Sequence, residues 1–174
     1  MTQDKFADGL VAQLPGLRRY AVALTGNAAV ADDLVQDCIE RALRQADQLR
    51  DLHSLPGWLR RILYHLYIDE IRRRRGRGQQ QDIMAFVDHP ELSVAAVDRA
   101  AAWDFVRAIH TLSAEHRQIL LLVGLEELSY REVADELGIP LGTVMSRLAR
   151  ARERLRSLIE NGHVVPFPAI KEKP

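Results

Sequence analysis

A single cysteine, Cys38, is all the thiol chemistry in this chain of 174 residues. It has no second thiol for an internal disulfide or a cysteine-based zinc site. Its place between Asp37 and Ile39, inside a helical pattern, suits a small buried hydrophobe better than a redox sensor. Long apolar runs are also missing: none approaches the ~20 residues needed to cross a bilayer. The first residues, Met1 to Phe6, carry Asp4 and lack the apolar stretch of a signal peptide. The expectation is a cytoplasmic protein. The histidines His53, His65, His89, His110, His116 and His163 form no HExxH pair, and neither a phosphate-binding glycine loop nor a nucleophile elbow occurs. No catalytic residue, cofactor or metal site is therefore expected, and the chain does not read as an enzyme. A metal site assembled in space from these histidines stays open.

Net charge is absent too, with 24 basic residues against 24 acidic ones. That balance at first argues against nucleic acid, but it conceals a strong segregation. Residues 1–57 hold 6 basic and 8 acidic side chains, residues 58–78 hold 7 and 2, residues 79–137 hold 4 and 11, and residues 138–160 hold 5 and 2. Two basic segments stand apart from two acidic ones, and a phosphate backbone meets local charge, not the average.

What is present is helical periodicity. From Phe6 through Arg75 the pattern is helical, with breaks expected at Pro15-Gly16, at Thr25-Gly26-Asn27 and from His53 to Gly57. Val30, Leu34, Cys38, Ala42 and Ala46 recur every fourth residue, while Asp33, Asp37, Glu40, Arg41 and Arg44 fall on other faces, which makes an amphipathic helix. A further helix is expected to begin near Ser54 or Leu55, with Trp58, Ile62, Leu66 and Ile68 to Ile71 as its core stripe. It ends in Arg72-Arg73-Arg74-Arg75. Residues 76–92, opening with Gly76-Arg77-Gly78-Gln79-Gln80-Gln81 and reaching past Pro90, have no periodicity and read as a linker. A second domain over 93–160 starts with Trp103, Val106, Ile109 and Leu112 at helical spacing, followed by a buried helix around Ile119 to Val123. Residues 161–174 hold three prolines and read as a flexible tail. The expectation is thus an all-α chain of two small domains, 1–75 and 93–160.

The segment from Leu128 to Arg156 carries the most information. Ser129 and Glu132 have the spacing of a capping box, which fixes a helix start. Tyr130 to Leu137 then forms a short helix, Gly138 supplies the positive φ that stops it, and Ile139-Pro140 leads into a second helix from about Leu141. A short helix, a glycine-bearing turn and a longer helix make a helix-turn-helix. On the second helix, Val144, Leu148, Ala151, Leu155 and Leu158 share one face, and Thr143, Ser146, Arg147, Arg150 and Arg154 another. A basic, polar face of this kind suits the major groove, where Arg bonds guanine bidentately and Thr or Ser reaches phosphate or a base edge. Solvated arginines on an ordinary surface helix would look the same in isolation. The cap, the turn and the hydrophobic spacing favour DNA binding.

Leu128-Ser129-Tyr130-Arg131-Glu132-Val133-Ala134 and Gly142-Thr143-Val144-Met145-Ser146-Arg147-Leu148 closely resemble region four of the extracytoplasmic-function (ECF) sigma factors of the sigma-70 family. The first domain agrees: Asp32-Asp33-Leu34-Val35-Gln36-Asp37 resembles regions 2.1 to 2.2, and Trp58-Leu59-Arg60-Arg61-Ile62 through Ile68-Asp69-Glu70-Ile71-Arg72-Arg73 resembles regions 2.3 and 2.4. The resemblance covers about residues 10–158. It implies a bacterial initiation subunit that binds core RNA polymerase, recognises the minus-thirty-five element of promoter DNA with its second domain and melts the minus-ten element with its first. It further implies that Asp33, Leu34, Gln36 and Asp37 face the polymerase clamp. Thr143, Ser146, Arg147, Arg150 and Arg154 would then face minus-thirty-five DNA, and His65, Arg72 and Arg73 minus-ten DNA. An anti-sigma factor is an implied partner.

Two departures bear on promoter sequence. His65 stands where the family commonly has Asn, and Met145 where it commonly has Lys or Arg. With Tyr64 and Tyr67 beside it, His65 also reads as a packing histidine. The loop at about Gln48 to Ser54 is implied to form part of the pocket for a flipped minus-ten base, with Arg60, Arg61 and Arg72 to Arg75 supplying charge. The acidic residues Asp82, Asp88 and Glu91 look like the segment that threads the polymerase cleft in the family, or a simple tether. Two other readings stand beside this one: a sigma-like adaptor that sequesters a regulator without binding DNA, and a conventional helix-turn-helix repressor or activator.

Overall fold

The structure, a computed structural model, describes residues 3–76 and 107–158. The chain divides into two compact units, each all-α among the described residues. The linker expected over 76–92, apart from Gly76, and the tail expected over 161–174 lie outside the described residues, as do Trp103 and Val106. No helix among the described residues is long and apolar enough to cross a membrane, and no group of His, Cys, Asp or Glu among them is placed to hold a metal ion.

The first unit is a three-helix bundle. Helix α1 spans Gln3–Thr25, α2 spans Ala28–Arg44 and α3 spans Leu55–Gly76, and each packs against the other two. The break expected at Pro15-Gly16 does not occur, because α1 runs straight through Pro15. Proline removes one backbone donor from the helix ladder, which costs least where the orphaned carbonyl meets water. Val11, whose carbonyl would have accepted that bond, is 65% exposed, and Pro15 itself is exposed. Phe6, Leu10, Leu17, Tyr20, Ala21 and Leu24 are meanwhile buried at helical intervals on both sides of it. Packing of that stripe outweighs the local penalty.

The break at Thr25-Gly26-Asn27 is present. Gly26 turns the chain at φ 70°, and the Asn27 side chain accepts from the Val30 N–H at 3.1 Å, capping α2. Leu34, Cys38 and Ala42 are buried as their spacing requires, while Val30 is only half-buried.

Helix α3 begins at Leu55, and its buried residues are Leu55, Leu59, Ile62, Leu63 and Tyr67. This corrects the expected stripe: Trp58, Leu66, Ile68 and Ile71 are only half-buried. Apolar residues occupy most faces of mid-α3, so periodicity alone does not choose among them. The sides taken by α1 and α2 do.

In the second unit a helical segment, 107–111, ends against α4 (Ala114–Gly124), followed by α5 (Tyr130–Leu137) and α6 (Leu141–Leu158). Ser113 caps α4 by accepting from the His116 N–H at 3.3 Å. Consecutive residues Arg117 to Leu122 are all buried, so α4 is covered nearly all round and acts as the hub on which α5 and α6 pack. Arg117, at 3% exposure, is tolerated there because its guanidinium donates to the carbonyls of Ile109, His110 and Leu112 at 3.3, 2.8 and 3.3 Å. It thereby satisfies the orphan acceptors at the end of the preceding helix.

Candidate nucleic-acid interface

The geometry of α5 and α6 follows from a few residues. The Ser129 side chain accepts from the Glu132 N–H at 3.3 Å, and the Ser129 N–H donates to the Glu132 carboxylate at 2.8 Å, completing the capping box. Gly138 stops α5 in the left-handed region at φ 64°, and the Ile139 N–H donates to the Ala134 carbonyl at 3.1 Å. The Pro140 carbonyl accepts from Thr143 and Val144, opening α6. Val133 and Ala134 on α5, and Val144, Leu148, Ala151 and Leu155 on α6, are buried. These contacts fix how α6 is rotated about its axis.

That rotation leaves Ser146, Arg150 and Arg154 exposed. Neither Arg150 nor Arg154 has a hydrogen-bond or ion-pair partner among the described residues. Ser146 donates to the Thr143 carbonyl at 3.1 Å, one turn back, and keeps its acceptor lone pairs outward. Thr143 is half-buried. Arg147 differs from the other two arginines. Its guanidinium lies 3.3 Å from the Glu115 carboxylate on α4, with 30% of the side chain exposed, so it is committed to an ion pair within the unit. Spacing on α6 gave no sign of this, because the partner comes from another helix. Leu141 and Met145, one turn apart, are 38% and 53% exposed. In the sequence Met145 reads only as a departure from the family, and Leu141 only as the start of the second helix.

In the first unit, Asp33, Gln36 and Asp37 are exposed on the outer face of α2. Leu34 does not share that face. It is 5% exposed and points into the bundle, as the alternation with Cys38 and Ala42 demands. The neighbouring Asp32 is tied to α1, where Arg18 donates through Nε at 2.7 Å and through Nη2 at 3.2 Å to its two carboxylate oxygens. Asp33 and Asp37 have no such partner among the described residues.

On α3, His65 is exposed, which removes the packing reading. Tyr64 and Tyr67 contact each other instead, with ring centroids 6.2 Å apart. Arg73 pairs at 2.9 Å with Glu70, which is half-buried and also held by Arg74 at 2.6 Å, whereas Arg72 pairs with Asp69 at 3.5 Å on the surface. Exposed pairs of this kind are weak and open readily to a competing phosphate.

The loop before α3 consists of two short 3₁₀ turns, Ala46–Gln48 and Leu52–Ser54, anchored by buried Leu49. The Asp51 carboxylate accepts from the His53 N–H and contacts His53 Nδ1, both at 3.0 Å. Hydrogen bonds from His53 hold the Asp51 carboxyl below its usual range, and the same carboxylate raises the His53 imidazole.

Comparison with known proteins agrees with both units. The model of sigma-70, region 4 matches residues 103–155, and the model of the sigma2 domain of PhyR matches residues 10–64. The ECF RNA polymerase sigma factor EcfG of Rhodopseudomonas palustris is 34% identical over 156 residues, spanning 90% of this chain and 86% of the relative. SigL of Mycobacterium tuberculosis, also an ECF RNA polymerase sigma factor, is 35% identical over 153 residues, spanning 83% of this chain and 82% of its own. The sigma factor RpoE, in a co-crystal structure with the anti-sigma factor NepR from Bartonella quintana, matches with a TM-score of 0.71 at 33% identity, covering 90% of this chain and 97% of that one. The PhyRSL chain in an NMR structure of the PhyRSL-NepR complex from Sphingomonas has a TM-score of 0.64 at 21% identity, a likeness of fold alone. With two matched regions in sigma order and a relative aligned over nearly its full length, the chain belongs to the ECF RNA polymerase sigma factors, transcription regulators that bind core RNA polymerase and direct promoter recognition and initiation.

Proposed function

We propose that α6 reads the minus-thirty-five element with Ser146, Arg150 and Arg154, and that Thr143 and Arg147 hold the edge of this surface. The carrying observation is that Arg150 and Arg154 are exposed and unengaged by described residues, while Val144, Leu148, Ala151 and Leu155 are packed away. Two guanidinium groups without an ion-pair partner among the described residues, on a helix that follows a capped, glycine-stopped turn, suit a phosphate-lined groove. His65, Arg72 and Arg73 on α3 supply contacts to the minus-ten element. Asp33, Gln36 and Asp37 on α2 dock on the polymerase, with Leu34 supporting that face from within. The domain limits, 1–75 and 93–160 with a linker over 76–92, and a cytoplasmic location belong to the same reading. An anti-sigma factor is a partner by extension from the RpoE relative, which was crystallised with one.

Arg150→Ala, measured as reconstituted holoenzyme in promoter competition, separates two modes of contact. A guanine-edge contact costs about 1 to 3 kcal/mol on the preferred promoter and relaxes one base pair. A phosphate contact costs the same on every sequence and lowers the salt slope by about one. Wild-type affinity and base preference in this variant would overturn the proposed orientation of α6.

The match of residues 10–64 to the sigma2 domain of PhyR favours one second reading, a sigma-like adaptor that sequesters a regulator. Such an adaptor makes no use of Arg150 and Arg154. Loss of promoter selectivity on their removal is therefore the outcome that separates the two.

A further inference from the structure

Leu141 and Met145 are the large hydrophobic side chains most exposed in the described part of the second unit, at 38% and 53%. They are not surplus from the core, because the buried stripe of α6 is complete without them. Four residues apart, they stand one above the other on a single strip. That strip starts at the first turn of α6 and borders the exposed Ser146 and Ala149.

We propose that Met145, backed by Leu141, reads the C5-methyl group of thymine in the major groove, so that promoter preference at one position is set by apolar contact instead of a hydrogen bond. The inference rests on the reading that α6 enters promoter DNA. The occupant follows from the exposed side of α6 that the strip borders, on which Ala149 and Ser146 lie between Met145 and Arg150. Arg150 and Arg154 lie on the same helix without partners among the described residues, so the matching surface is polyanionic. Within a polyanionic duplex the one apolar feature of a major-groove base edge is the thymine methyl. A thioether is at most a weak acceptor and donates nothing, so Met145 cannot make the bidentate bond that selects guanine. Its unbranched, polarisable chain does conform to a methyl group.

The test uses holoenzyme reconstituted with core polymerase and a preferred promoter in which each thymine of the minus-thirty-five element is replaced in turn by deoxyuridine. This deletes the methyl and leaves the hydrogen-bonding edge intact. At one position, or two adjacent ones, the wild-type protein should bind the deoxyuridine promoter about fourfold more weakly, the transfer free energy of one methyl group. Met145→Ala should lose a similar factor on thymine DNA and bind the two promoters equally, while keeping its circular dichroism and its preference at other positions. Equal wild-type binding of thymine and deoxyuridine promoters at every position, with promoter preference otherwise intact, overturns this inference alone. A methyl effect that survives Met145→Ala also overturns it. A wild-type holoenzyme with no promoter preference at all overturns both it and the DNA reading beneath it.

Discussion

Cys38 shows how one residue's chemistry follows from its surroundings. Fully buried, with its Sγ 3.4 Å from the Leu59 carbonyl on α3, it sits where an ionised thiolate would lose its hydration. Burial pushes the thiol up to about 12 from its ordinary 9.0, while a backbone hydrogen bond at Leu63 and the nearby Arg41 pull weakly the other way. Because the folded pKa lies above the unfolded one, the associated stability is fully present below pH 9 and is lost as pH rises toward 12. The expected limiting slope is about 1.4 kcal/mol per pH unit. Denaturant midpoints measured from pH 8 to 11 should fall more steeply for the wild-type protein than for Cys38→Ala, and a thiol reagent should modify Cys38 only at the rate of unfolding. Parallel pH profiles for the two proteins would contradict this. The burial was legible from the four-residue spacing. That of Arg117 was not, since a basic residue is read as exposed until the carbonyls that bind it are placed.

At the scale of elements, the turns were the most legible parts. Asn27, Ser129, Glu132 and Gly138 act through bonds spanning only a few residues, so their spacing carries nearly all the needed information. Longer-range competition was hidden. The fate of Pro15 depended on the core beneath α1, the stripe of α3 on its two neighbours, and the engagement of Arg147 on Glu115 in another helix. Leu34 is the opposite case: its spacing with Cys38 and Ala42 already places it inward, and only the resemblance motif set it beside Asp33 and Asp37. Two left-handed residues bracket α5 and test the local account. Gly138, at φ 64° with nothing near its missing Cβ, should cost about 1 to 2 kcal/mol when changed to Ala, from backbone conformation alone. Glu127 is exposed and holds φ 53° without being glycine, so Glu127→Gly should not destabilise and should gain up to about 1 kcal/mol. Chemical denaturation of the full chain reads both. Destabilisation by Glu127→Gly would mean that the Glu127 side chain does more than occupy a strained turn.

Across the whole molecule, the charge that cancels in the total is segregated within each unit, which joins an acidic stretch of chain to a basic one. Asp33 and Asp37 of α2, and Arg150 and Arg154 of α6, have no hydrogen-bond or ion-pair partner among the described residues and belong to different units, which suits a chain that holds a protein with one surface and DNA with another. The central claim is that these two surfaces serve transcription initiation together. The most direct measurement is promoter-dependent RNA synthesis by core polymerase supplied with wild-type protein, Asp37→Arg or Arg150→Ala, with circular dichroism on each. The wild type should start transcripts at a discrete site. Asp37→Arg, correctly folded, should lose both polymerase capture and transcript, because it reverses charge on the exposed face of α2. Arg150→Ala should keep polymerase capture and lose promoter choice. Full activity and polymerase capture in Asp37→Arg, or wild-type protein that yields no promoter-dependent transcript while still capturing a regulator, would contradict the account.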